Sequence, residues 1–367
     1  YSRMKNRNKG LKYLAIDIQN GYNSYRYIKQ DQDITFLIKY INIQEFINEN
    51  DMLNRELFKA IDEENIDKVK DLIKKGANVN FVNFVTINFD GNWRFSPLML
   101  ASKKGNIKIV ELLLNNGADI NYSFHDGSPY PVLFSALSIA SAYNKIEVIK
   151  ILIKRGINLK KLGGTVIADR RNKYKSKIKI LKLLIEAGAD INASVYGTPL
   201  INAINDCNID LINYLFDKGA NPNAIEIGCC GGADSSPLMI AVSRRCNKAI
   251  DILLEKNVNI NYRNQYGGSA LLYAISSNNL SLANLLISKG AHVKNQFFST
   301  GFGATSDSIL MIAIQDCPAI VKTLIEKGAD IHYKKPNCTE NCTALQVAKK
   351  RGLQNIVNLL IQAGARE

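Results

Sequence analysis

Histidine is nearly missing from this chain, with three residues in 367: His125, His292 and His332. None stands beside a Ser, Cys or carboxylate phrase resembling a nucleophile and its base, so hydrolytic and acid–base chemistry has little to build on. Proline is scarce too, at 8 residues, and the 46% hydrophobic, 22% charged composition suits a folded, mostly helical chain rather than a disordered one. No stretch approaches the roughly 18–20 unbroken apolar residues of a membrane-spanning helix. The short apolar runs at 112–114 and 183–185 lie inside amphipathic patterns. The glycine pairs at 163–164 and 231–232 lack the spaced glycines, Lys and Ser/Thr of a phosphate loop.

The cysteines, at 207, 229, 230, 246, 317, 338 and 342, are odd in number and scattered. They read as reduced thiols rather than a disulfide framework, which makes a reducing, cytoplasmic compartment the expectation. The chain begins at Tyr1 rather than Met, so upstream residues are expected in the gene and export stays open. His332, Cys338 and Cys342 form one metal-like grouping, but it offers three ligands where a structural zinc site takes four. No metal, no cofactor and no enzymatic activity is expected. Whether Cys338 and Cys342 bridge is open at this level.

Two phrases recur in fixed order. The closing one is Gly76-Ala77-Asn78-Val79-Asn80, Gly117-Ala118-Asp119-Ile120-Asn121, Gly188-Ala189-Asp190-Ile191-Asn192, Gly219-Ala220-Asn221-Pro222-Asn223 and Gly328-Ala329-Asp330-Ile331, with weaker copies from Gly156, Asn257 and Gly290 and a last Gly364-Ala365. Gly, or Asn at 257, takes the left-handed conformation that ends a helix, and the following Asp or Asn turns the chain. Amphipathic helices precede these phrases, as at 107–114 and 249–255. Before them come shorter helices opened by Ser96-Pro97-Leu98, Thr198-Pro199-Leu200, Ser236-Pro237-Leu238 or Thr343-Ala344-Leu345. Ser or Thr caps free backbone N–H groups, and Pro is tolerated in the first turn.

These phrases resemble the Thr-Pro-Leu-His-x-Ala opening and Gly-Ala-Asp close of the ankyrin-repeat family. The resemblance covers residues 52–367, about nine repeats, the fourth degenerate at 157–188. It implies an all-α solenoid of stacked helix-turn-helix units with extended finger loops, and a protein-interaction scaffold. One departure recurs: the family's His after Pro-Leu, which links neighbouring repeats by hydrogen bonds, is Met99, Ile201, Met239 or Gln346 here. The stack is expected to lack those links. Residues 1–51 do not fit the repeat and read as a short helical region, either a cap on the first repeat or the end of an upstream domain. At the other end, residues 356–361 are as apolar as an internal helix, so a continuing chain or a covering partner is expected.

Closing phrases recur at intervals of 41, 39, 32, 31, 38, 33, 38 and 36 residues, against about 33 for an average ankyrin repeat. The surplus falls mainly in the fingers, and such insertions often line a binding face. Two enlarged fingers are successive and aromatic, carrying Phe89, Trp93 and Arg94 in one and Phe124, Tyr130 and Phe134 in the next. A third carries Phe297 and Phe298. Aromatic anchors dominate protein interfaces, so Trp93, Arg94, Phe89, Phe124, Tyr130, Phe297 and Phe298 are the candidate partner-binding residues. The competing expectation is that the rings pack on one another to order long loops, and Phe134 is expected near the core.

The net charge of +14 is uneven: residues 121–190 hold 13 Lys and Arg against 5 Asp and Glu. Arg170, Arg171, Lys173 and Lys175 head a basic run within 154–182. It reads as a solvated helix face or as a site for an anionic partner such as an acidic protein surface. No nucleic-acid-binding motif accompanies it. The functional expectation is a scaffold binding a protein along its fingers and inner helices. The alternatives are a regulatory or targeting portion of a larger enzyme, toxin or effector, and an anionic-surface binder through 154–182.

Overall fold

The computed structural model describes residues 49–86, 92–125, 133–160, 176–194, 197–227, 234–294, 297–298, 307–336 and 338–366. Two compact units divide the chain, one ending at Asn158 and the other beginning at Leu159. The basic residues 170, 171, 173 and 175 lie outside the described residues, as do Phe89, Tyr130, the cysteines at 229 and 230, and residues 1–48.

The first unit runs α1 (Glu49–Asp62), α2 (Ile66–Lys74), β1 (Asn83–Thr86), β2 (Asn92–Phe95), α3 (Pro97–Lys104), α4 (Ile107–Asn115), β3 (Ser123–His125), β4 (Leu133–Ser135), α5 (Ala136–Ala142) and α6 (Ile146–Lys154). Helix α1 spans the boundary at 51/52 that the repeat pattern suggested. The second unit runs α7 (Ser176–Glu186), α8 (Pro199–Asn205), α9 (Ile209–Asp217), α10 (Pro237–Ser243), α11 (Asn247–Glu255), α12 (Ala270–Ser276), α13 (Leu280–Ser288), β5 (Phe297–Phe298), β6 (Asp307–Ser308) and α14 (Ile309–Asp316). A 3-10 turn (Pro318–Ile320) leads into α15 (Val321–Glu326), and α16 (Ala344–Lys350) and α17 (Gln354–Gln362) follow. The fold is an all-α solenoid of helix pairs, and buried side chains from Leu200 to Ala365 make one core in the second unit.

Each short helix opens on a buried hydroxyl. Ser96, Ser135, Thr198, Ser236, Ser269, Ser308 and Thr343 each accept a hydrogen bond from the backbone N–H three residues on. Burying such a hydroxyl is tolerable because this bond satisfies it. That third residue is where the family keeps its His, and Met99, Ile201, Met239, Leu272 and Met311 fill it with buried apolar side chains. At α16 the residue is Gln346, whose side-chain oxygen instead accepts from the N–H groups of Cys342 and Thr343.

The missing histidine links have a replacement at the closing phrase. The side-chain oxygen of Asn80 accepts from Asp119 N–H at 2.6 Å, and that of Asn121 from Asn158 N–H at 2.8 Å. In the second unit Asn192 does the same for Asn221, Asn223 for Asn259 and Asn261 for His292. The amide groups of Asn80 and Asn261 also donate to the Gly117 and Gly290 carbonyls. At these five junctions one asparagine ties the last turn of one repeat to that of the next. The position is Lys at 160 and 294, which has no acceptor.

Two findings depart from the sequence reading. Three of the fingers are β-hairpins rather than plain loops: β1 pairs with β2, β3 with β4 and β5 with β6, all antiparallel. The thiols are also not all separate, because Cys207 is joined to Cys246 and Cys338 to Cys342. The expectation of scattered reduced cysteines is corrected for these four. It failed because Cys207 and Cys246, 39 residues apart, meet only through the stacking of two repeats.

Candidate functional site

In the first hairpin Asn83 pairs with Phe95, Phe84 with Arg94, Val85 with Trp93 and Thr86 with Asn92. Trp93 and Arg94 therefore sit on a strand that leads directly through buried Phe95 into the Ser96 cap of α3. In the second hairpin Phe124 pairs with Phe134, and their rings stack with centroids 5.3 Å apart. Tyr122 lies 6.5 Å from Phe124. The Phe124 ring is half-buried and partnered within its own finger, as is Phe134, which stays short of full burial. The second unit places Phe297 and Phe298 on β5, opposite Ser308 and Asp307.

One neighbouring feature escaped the sequence reading. The Lys103 ammonium lies 6.0 Å from the Phe95 ring centroid and 5.4 Å from that of Tyr143. Tyr143, 49% exposed, sits at the end of α5, so one cation bridges the base of the first finger to the next repeat. Such contacts are worth about 0.5–1 kcal/mol at exposed sites. A basic residue in the last turn of a helix was visible in the sequence; its aromatic partner 40 positions away was not.

On the outer helices, Lys182 lies 4.5 Å above the Tyr214 ring. The Tyr214 hydroxyl donates to Glu186 at 3.4 Å. Burial, reinforced by the Glu186 carboxylate, pushes that hydroxyl above the ordinary tyrosine pKa. Lys182, the described end of the basic run, is thus already engaged with an aromatic face. Two further finger bases are tied together by the Asp307–Lys335 ion pair at 2.7 Å.

A groove of 240 Å³ in the second unit is lined by Val242, Arg245, Ala274, Ser277, Asn278, Asn279 and Leu282. Its lining contains no His, Cys or carboxylate, so no acid–base pair faces it. Among the described residues no group of three or more His, Cys, Asp or Glu converges on a metal-sized site. The metal-like grouping at 332–342 resolves differently: Cys338 pairs with Cys342, while the His332 N–H donates to Asp330. No described helix is long and apolar enough to cross a membrane.

Stacked helix pairs with projecting hairpins define a repeat scaffold of the protein-interaction class. A family described as ankyrin repeats, in three copies, matches residues 36–123, 57–163 and 225–297, and the chain belongs to it. Among curated relatives it is 27% identical to the phosphocholine transferase AnkX of Legionella pneumophila over 68% of this chain and 25% of that protein. It is 24% identical to human transient receptor potential cation channel subfamily A member 1 over 95% of this chain and 35% of the channel. It is 27% identical to the mouse B-cell lymphoma 3 protein homolog over 52% of this chain and 49% of that protein. The chain thus spans about a quarter to a half of these relatives. The crystal structure of the human ASB11 ankyrin repeat domain is 23% identical, covering 64% of this chain and 97% of that domain, with a TM-score of 0.45.

Proposed function

We propose that this chain is a non-catalytic scaffold that binds a protein partner along its fingers and inner helices. The reading rests chiefly on one observation: the two successive enlarged fingers of the first unit fold as antiparallel hairpins continuous with the caps of α3 and α5. A hairpin anchored to a helix holds its residues in place, so contact with a partner costs less ordering entropy than contact through a free loop. Trp93 and Arg94 on β2 and Phe124 on β3 are the proposed anchors, with Phe89 and Tyr130 of the same fingers. Phe297 and Phe298 form a secondary contact, and a cytoplasmic setting goes with this reading. The test is a photo-reactive residue at position 93 compared with one at Lys108 on the outer helix α4. The same partner should be crosslinked from 93 and not from 108; equal yields from both would defeat the assignment.

A second reading is favoured by the short span this chain occupies in its relatives, one of which is a transferase. Here the array is the targeting or regulatory part of a larger enzyme, toxin or effector, and any catalysis lies in other residues. The two readings separate on whether the full gene product modifies the protein crosslinked at position 93. A third role, binding an anionic surface, belongs to the run at Arg170, Arg171, Lys173 and Lys175.

A further inference from the structure

The turn between the two helices of a repeat has the same design at most of the described repeats. It places a left-handed residue immediately before the cap of the outer helix: Glu64 and Asn65, Gly105 and Asn106, Asn144 and Lys145, Cys207 and Asn208, Arg245 and Cys246, Asn278 and Asn279. Stacking brings the left-handed residue of one repeat against the cap residue of the next. In the first unit this contact is a hydrogen bond from the Asn106 side chain to the Glu64 carboxylate at 3.0 Å. At the next junction the Lys145 side chain lies over Gly105, 2.6 Å from where a Cβ would stand. In the second unit both positions of one such contact are cysteine: Cys207 faces Cys246 with a Cα separation of 5.8 Å. That spacing is ordinary for a disulfide.

We infer that Cys207 and Cys246 form a reversible redox clasp between two adjacent repeats, opened and closed by exchange with small-molecule thiols and disulfides. Cys207 is exposed, whereas Cys246 is 3% exposed, which orders the chemistry. The Cys207 thiolate attacks a small disulfide such as oxidised glutathione and releases one thiolate. The Cys246 thiol then loses its proton and attacks the Cys207 sulfur of the mixed disulfide, releasing the second. Two protein thiols become one disulfide, two protons leave, and the small disulfide is reduced to two thiols. Excess small thiol runs the same steps backwards.

Cys317 serves as an internal control. It occupies the matching cap position two repeats further on, before the 3-10 turn, but the left-handed residue of the preceding repeat is Asn278 rather than Cys. It is fully buried and free, and burial raises its thiol pKa. A cysteine at the cap is therefore not a redox site by itself. The pairing across the junction makes it one. Closing the clasp covalently links positions 39 apart and joins two repeats that otherwise hold by packing and hydrogen bonds. The inference does not depend on which partner the fingers bind.

The test uses the full chain in glutathione buffers from fully reduced to fully oxidised, with free thiols alkylated and peptides mapped by mass spectrometry. A Cys207–Cys246 crosslinked peptide should appear and disappear reversibly, while Cys317 is alkylated only after unfolding. Oxidation should raise the thermal midpoint by about 5–10 °C. Most of that rise should be lost in Cys207→Ser and in Cys246→Asn, which keep only what the Cys338–Cys342 bond contributes; the second variant also restores the asparagine cap used in other repeats. The idea fails if both cysteines stay free in oxidised buffer, or pair elsewhere. It also fails if the bond resists reduction short of unfolding, or if the variants keep the full rise.

Discussion

Asn223 does two jobs with one amide. Its oxygen accepts from Asn259 N–H at 2.6 Å and its nitrogen donates to the Asn257 carbonyl at 3.4 Å, tying two repeats on an exposed edge. Asn223→Ala should cost about 0.5–1.5 kcal/mol, read as a lower urea midpoint with unchanged slope. A shift no larger than that of a neighbouring surface alanine would show that water replaces the bridge without loss. Trp93 calls for a different measurement, because its proposed role is in contact rather than in folding. Trp93→Ala should lose at least ~2 kcal/mol of partner binding, about thirtyfold, while the melting temperature moves only a few degrees. If the array unfolds and residual affinity is intact, Trp93 belongs to the core and Phe297 and Phe298 become the next candidates. At this scale the helix-ending glycines and capping hydroxyls were legible in the sequence, because each acts on backbone within a few residues of itself. Gly76, Gly117 and Gly188 all have the positive φ their phrase requires. Asn80 and Asn121 close their phrases without announcing a role, since the N–H groups they bridge to belong to the following repeat.

Among the elements, α17 differs from its counterparts. Val357 and Leu360 are buried, but Ile356 and Leu359 are only partly so and Ile361 is 52% exposed. Its cap residue, Leu353, supplies no side-chain bond, as at α6 and α11, where α9 and α13 have Asn208 and Asn279. Amide hydrogens in α17 should therefore exchange faster than those of α12 and α13 in this chain. Uniform protection through residue 364 would show that something covers this face. The hairpins mark the limit of sequence reading for elements. The long intervals located the enlarged fingers correctly, but strand pairing is a contact between segments, and neither segment announces it. Ser135 and Ser308 each end a strand and cap a helix, a double duty that the Ser-Pro-Leu phrase did not signal because no Pro follows either. Phe134, placed near the core by its proximity to α5, is half-buried and stacks on Phe124 instead.

For the whole molecule the governing quantity is charge. More than half of the +14 excess lies in residues 121–190, so electrostatic attraction to an anionic partner would be local rather than global. Changing Arg170, Arg171, Lys173 and Lys175 to Gln should weaken binding to an acidic protein surface. It should also flatten the salt dependence, most visibly below 0.1 M where the screening length exceeds about 10 Å, and leave folding nearly unchanged. Negligible affinity for acidic ligands at low salt would leave the run as a solvated face. The repeat phrases and their order were legible at this scale because they are written into the chain; the cross-repeat disulfide was not, because register between repeats decides it. The hairpins carry one more consequence, for how such a chain tolerates change in length. In the first finger the strands are paired from Asn83–Phe95 to Thr86–Asn92, so the helices on either side should keep their spacing whatever length lies between. Foreign peptide spliced between residues 86 and 92 would add length where no stacking contact counts it. The array would keep its pitch while acquiring a new epitope, which makes the fingers natural grafting points.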